Sequence, residues 1–122
     1  MNNKTFQVVN RLRTCKEYNF TNQFVKQNNN SFEYYYKTTL IAKHIAREKK
    51  VFIERQTELN ATIIEKINGV LEIFKIPYIV EQNKKDYIIK DNRTFQTQKY
   101  LGMALERQQT ESQPVRKQGL EK

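Results

Sequence analysis

Residues 31–53 read SFEYYYKTTLIAKHIAREKKVFI, the densest run of aromatic and β-branched residues in the chain. Taken with a period of two, Phe32, Tyr34, Tyr36, Thr38, Leu40 and Ala42 share one face, and Glu33, Tyr35, Lys37, Thr39, Ile41 and Lys43 the other. That is the pattern of a strand with one core face and one mixed face. Arg47-Glu48-Lys49-Lys50 interrupts the apolar run and Val51-Phe52-Ile53 resumes it, which predicts a hairpin turning at the charged residues. A single helix from about Thr39 to Phe74 competes, because Ile41, Ile45, Phe52, Leu59 and Ile63 also fit helical spacing and no proline intervenes. The β-branched and aromatic enrichment favours the hairpin.

On the N-terminal side, Phe6, Val8, Asn10 and Leu12 alternate with Gln7, Val9, Arg11 and Arg13, which predicts an initial strand over Thr5 to Arg13, with a short helix as the alternative. Thr14 to Ser31 is polar with scattered aromatics (Tyr18, Phe20, Phe24) and reads as an irregular connection ending in Asn28-Asn29-Asn30-Ser31. On the C-terminal side, Ile63, Ile64, Ile67, Val70, Leu71 and Phe74 form one apolar stripe, predicting a helix over Ala61 to Lys75 with Asn60 as N-cap and Pro77 ending it. Tyr78 to Glu81 and Tyr87 to Lys90 then read as two strands with Asn83-Lys84-Lys85-Asp86 at the tip, and Thr94 to Thr97 extends the sheet. A short helix is expected over Gln98 to Gln109, using Tyr100, Leu101 and Leu105. Beyond Thr110 the apolar content collapses, which predicts a flexible tail.

Together these elements predict an α+β fold: an antiparallel sheet of four to six strands with the Ala61–Lys75 helix across one face. Residues 1–109 form a single domain in this reading and residues 110–122 a basic and polar tail. A chain of 122 residues can bury a modest core without disulfides or a metal.

Lys and Arg number 22 against 13 acids, a net charge of +9, so a polyanionic partner is the leading expectation. Surplus lysine that serves only solubility is the plain alternative. Cys15 is alone, the N-terminus lacks the apolar core of a signal peptide, and no segment approaches the ~18 apolar residues of a membrane span, which points to the cytoplasm. Enrichment in Asn, Lys, Ile, Tyr and Phe is what AT-rich codons encode, suggesting a low-GC bacterium or its phage as the host setting.

Catalytic chemistry finds little to work with. His44 is the one histidine, so neither a histidine-based metal site nor a conventional triad can be assembled from one chain, and one cysteine cannot build a structural zinc site. Cys15 with His44 is a conceivable nucleophile and base, although Cys15 lies in no recognisable cysteine-hydrolase context. Glu81, Asp86, Lys90 and Asp91 could be a nuclease-like cation site, but charges beside a hairpin turn are usually a solvated rim. The three glycines are isolated, so no glycine-rich phosphate loop exists. No enzymatic activity, cofactor or metal is expected.

What remains is a basic surface interleaved with aromatics. Lys and Arg release counterions from phosphates, and aromatic faces stack on unpaired bases, so the combination suits RNA or single-stranded DNA. The candidate contacts are Tyr35 and Lys37 on the mixed strand face, Arg47, Lys49 and Lys50 at the first turn, Lys84 and Lys85 at the second, with Arg11, Arg13 and Lys16 extending the patch. Tyr35 could equally belong to a second core on the far side of the sheet, and the lysine turns could simply protect hairpin tips and sheet edges.

YYYKTTLIA (34–42) followed by KKVFIE (49–54) resembles a group of small phage and mobile-element proteins in which a strand of the type YY-S-Y-N-T-x-I-A leads into a second β-rich strand. The resemblance covers about Phe32 to Asn60, a quarter of the chain. Lys37-Thr38 stands where the pattern has Tyr-Asn, and Arg55-Gln56-Thr57-Glu58 where a Ser-Thr-Thr turn is common. It implies a phage or integrated-element origin, a setting in which small proteins often act by binding a host machine, including inhibitors of CRISPR-Cas effectors. The expected function is a small basic binding protein for RNA, single-stranded nucleic acid or a ribonucleoprotein. An inhibitor that binds a host defence nuclease is the runner-up, and a structural or assembly subunit the third.

Overall fold

The computed structural model describes residues 2–108, and the expected tail over 110–122 lies outside them. The fold is α+β. It comprises helices α1 (Asn3–Arg13) and α2 (Ala61–Ile73), and strands β1 (Tyr18–Phe20), β2 (Gln23–Asn28), β3 (Ser31–Tyr36), β4 (Thr39–Ile45), β5 (Lys50–Ile53), β6 (Tyr78–Asn83), β7 (Asp86–Asp91), β8 (Thr97–Lys99) and β9 (Leu105–Gln108). An antiparallel six-stranded sheet runs β1-β2-β3-β4-β5-β9, and a smaller antiparallel sheet runs β6-β7-β8.

The opening segment is a helix, not the strand that alternation suggested. Asn2 Oδ1 accepts the Thr5 amide at 2.8 Å as N-cap, and the buried residues Thr5, Val8, Val9 and Leu12 follow the helical 3–4 spacing. Val9 decides the matter, since a strand would have turned it away from Val8. The supposed irregular stretch 14–31 contains β1 and β2. Their polar composition hid them, because β2 buries only Gln23 and Val25, and the buried Gln23 accepts the Tyr34 hydroxyl at 2.6 Å.

The run Phe32 to Ala42 is two strands. A two-residue loop at Lys37-Thr38, with Lys37 at φ 54°, closes the β3–β4 hairpin. The first residue of three other two-residue loops, Thr21, Asn29 and Lys84, also takes a left-handed φ, so glycine is not needed to mark these turns. The register slips between Tyr34, opposite Ala42, and Tyr35, opposite Leu40, leaving Ile41 as an extra residue on β4. Alternation therefore inverts there, and Ile41 and Ala42 are both buried.

The β4–β5 connection forms at the expected charged residues as a 3-10 turn over Ala46–Glu48, which excludes the competing long helix. Helix α2 is capped by Asn60 as predicted, its side chain accepting the Ile63 amide at 2.9 Å. It stops before the proline: Lys75 adopts φ 57°, while its amide and that of Ile76 bond back to Glu72 and Leu71. Cys15 and Lys16 end α1 in the same way, bonding to Leu12 and Arg11. The expected helix over 98–109 is instead the end of β8, a connection and β9, because Leu105 to Gln108 add to the free edge of β5; Gln109 lies outside the described residues.

Both helices lie on one face of the large sheet, burying Val8, Val9, Leu12, Ile67, Val70 and Leu71 with Val25, Tyr34, Ala42, Val51 and Ile53. They run in the same direction. At their N-terminal ends Lys66 Nζ donates to Thr5 Oγ1 (3.1 Å) and Glu65 Oε1 (2.8 Å), and the Asn2 amide reaches Glu65 Oε2 (3.1 Å). At their C-terminal ends both meet His44, through the Leu12 carbonyl and the Phe74 ring.

Gly102, at φ 84°, ties the β8–β9 connection to the segment before α2, its carbonyl accepting the Gln56 amide at 2.7 Å. An added Cβ would collide with the Gln56 carbonyl oxygen. Gly102→Ala is expected to destabilise by about 2 kcal/mol or more, left-handed strain and the clash acting together. Urea unfolding checks this.

Candidate nucleic-acid interface

Register defines the large sheet's second face. Phe24, Tyr35 and Leu40 form one row of cross-strand neighbours, and Lys26, Glu33, Lys43, Phe52 and Glu106 the next. Apart from Glu33, 5% exposed, these side chains are half-buried or exposed, and the helices cover the opposite face. Phe24 and Tyr35 stack with ring centroids 5.0 Å apart at 12°, and Lys26 Nζ sits 5.6 Å from the Tyr35 centroid. Tyr35 donates its hydroxyl to Glu33 Oε1 at 2.9 Å; burial first, then that carboxylate, raise its pKa and keep it neutral. Tyr35 thus lies on the uncovered face, as its period-two position suggested. Its neighbours Phe24, Lys26, Lys43 and Phe52 escaped sequence reading, Phe24 because its strand did.

The basic candidates do not form one patch. At the end where both helices terminate, Cys15 Sγ lies 3.7 Å from His44 Nδ1, and His44 pairs with Val51 across β4 and β5. Arg13 and Lys16 after α1, and Arg47, Lys49 and Lys50 at the β4–β5 turn, therefore come to the His44 end from two chain segments, joined by a third through Lys75 just after Phe74. Arg13, Lys16, Arg47, Lys49 and Lys75 are exposed and form no ion pair among the described residues. Lys50 is 3.9 Å from Glu48. Arg11 turns aside, its guanidinium 4.6 Å from the Tyr18 centroid.

Lys37 sits at the opposite end of β4, where its amide bonds to the Asn22 carbonyl. Lys84 and Lys85 lie at the β6–β7 turn in the other sheet. These three do not join the cluster around His44. Lys75 was missed because its left-handed position follows from how α2 ends.

The Cys15–His44 contact is poorly built for nucleophilic chemistry. Because the Leu12 carbonyl can only accept, His44 Nδ1, 2.9 Å away, must carry the proton and cannot take one from Cys15 there. Burial also pushes the Cys15 thiol up, against forming a thiolate. Glu81, Asp86, Lys90 and Asp91 do not converge: Lys90 pairs with Glu81 and Asp86 with Lys99, each at 3.8 Å, while Asp91 holds Arg93 at 2.9 Å. Hydrogen bonds from Arg93 bring the Asp91 carboxyl down to about 2. No group of three or more metal-ligating side chains is present among the described residues, and no described helix is long and apolar enough to cross a membrane. No protein-family model, curated protein or solved structure matches the chain.

Proposed function

We propose that this chain is a small basic binding protein for RNA or single-stranded nucleic acid, acting alone or within a ribonucleoprotein. The observation that carries this reading is the gathering of Arg13, Lys16, Arg47, Lys49 and Lys75, which form no ion pair among the described residues, at the end of the large sheet where both helices terminate, together with Phe24, Tyr35 and Phe52 on the face that the helices leave uncovered. Phosphates would follow the cationic end and unpaired bases would stack on the aromatic rows. The cations also sit favourably at the negative ends of two helix dipoles, which accounts for their placement on α1 and α2 but not for Arg47 and Lys49.

Tyr35→Ala separates stacking from charge. It should weaken oligonucleotide binding by about 1–3 kcal/mol at every salt concentration without changing the salt slope, since stacking releases no counterions. Unchanged affinity would remove the sheet face from the interface.

One feature favours the second reading, an inhibitor that binds a host nuclease through protein contacts. On the sheet face itself Lys26, Lys43 and Lys50 are matched by Glu33, Glu54 and Glu106, so this face alone is not cationic. Tight, weakly salt-sensitive binding to a nuclease or its guide-loaded complex, with poor binding to free RNA, would favour it.

A further inference from the structure

Two large apolar side chains stand far out in solvent, Phe95 at 73% and Leu101 at 69% exposure. Phe95 also sits at φ 63°, a conformation that a bulky side chain seldom adopts, in a loop fixed by Asp91 and Arg93. The two residues flank β8 symmetrically, three positions either side of Gln98, its central residue. β8 is a free edge of the small sheet, and all three of its residues are exposed. Asp91 bonds to the Gln96 carbonyl and Tyr100 to the Tyr87 carbonyl, so residues 96, 98 and 100 point their backbone groups at β7. By alternation, the amides and carbonyls of Thr97 and Lys99 face the open edge.

We infer that β8 pairs antiparallel with β8 of a second copy of this chain about a two-fold axis at Gln98. In that register Thr97 and Lys99 exchange backbone hydrogen bonds with Lys99 and Thr97 of the other copy. Gln98 meets its own counterpart, amide to amide, and each Phe95, in the turn just before the strand, comes to the same end of the pair as the other copy's Leu101. No like charges oppose one another, and one operation brings Phe95 and Leu101, the two most exposed large apolar side chains among the described residues, together. A net charge of +9 opposes self-association, yet around this edge the cations are already matched: Lys90 with Glu81, Arg93 with Asp91 and Lys99 with Asp86. The cluster around His44 lies on the other sheet. Lys84 and Lys85 sit at the Leu101 end of this edge, and the two-fold sets the two copies' turns at opposite ends of the paired strands, ~27 Å or more apart.

Sedimentation equilibrium of the full chain over a concentration series should show the mass rising from 14.7 kDa toward twice that value. Phe95→Asp and Leu101→Asp should each weaken association at least about tenfold while leaving the circular dichroism spectrum unchanged, as both sites are exposed. In a Cys15→Ser background, Gln98→Cys should oxidise to a covalent dimer, because directly opposed strand residues of this type stand ~4.5 Å apart, within disulfide reach. Lys85→Cys, ~27 Å from its counterpart in this register, should not. A monomer at all concentrations overturns the inference. So does a dimer that both Asp variants leave intact, or one in which Gln98→Cys links no faster than Lys85→Cys.

Discussion

Changing Arg13, Lys16, Arg47 and Lys49 together to alanine will weaken binding of a single-stranded oligonucleotide by roughly 10²–10³-fold at ~0.1 M salt. The figure follows from counterion release: each phosphate contact on a single strand contributes about 0.7 to the slope of log affinity against log salt, so losing four lowers the slope by about 2.8. The four side chains are exposed and hold no ion pair among the described residues, so the fold should survive apart from a small loss where Arg13 faces a helix C-terminus. Lys37, Lys84 and Lys85, changed together as a comparison, lie away from the His44 end and should lower the slope much less. Equal losses from the two sets would mean that charge acts diffusely and that the cluster is no site.

Ile67→Ala will destabilise the protein by about 2–5 kcal/mol, the range for deleting a fully buried aliphatic side chain and leaving a cavity. Ile67 is 0% exposed and Leu71 1%, both in the core that α1, α2 and the large sheet share, so Leu71→Ala should fall in the same range. Urea denaturation measures both. A loss below about 1 kcal/mol at both positions would mean that the α2 stripe is not the core seen here.

Helix α2 was legible because three independent signals agreed: the Asn60 cap, an apolar stripe of helical period, and Pro77 beyond its end. β5, β6 and β7 were legible as short β-rich runs bounded by lysine-bearing turns. Helix α1 was not, since Val8 and Leu12 satisfy both periods and Phe6, exposed on the helix, lines up with them only at a period of two, which left Val9 alone among the apolar residues to favour the helix. β3 and β4 merged into one predicted strand because Lys37-Thr38 carries no glycine, asparagine or proline, and because the bulge at Ile41 is set by pairing rather than by composition. β9 exists because β5 offers an edge, which no local pattern encodes.

The candidate interface was legible residue by residue but not as an arrangement. Arg13, Lys16, Arg47, Lys49 and Lys50 could be named from charge alone. Their convergence depends on α1 and α2 running the same way over the sheet, so that both end at His44. The same geometry removes Lys37, Lys84 and Lys85 from the cluster and turns Arg11 onto Tyr18. Tyr35 stood among the candidates and Phe24 did not, although the two rings stack, because β2 spends most of its length in polar residues.

The affinity of the wild-type chain for a single-stranded oligonucleotide, measured across a salt series, tests the proposed function most directly. With four to six cations engaged, log affinity should fall with log salt at a slope of about 3–4. Absence of binding even at low salt would contradict the proposal and leave a protein partner as the ligand of the sheet face.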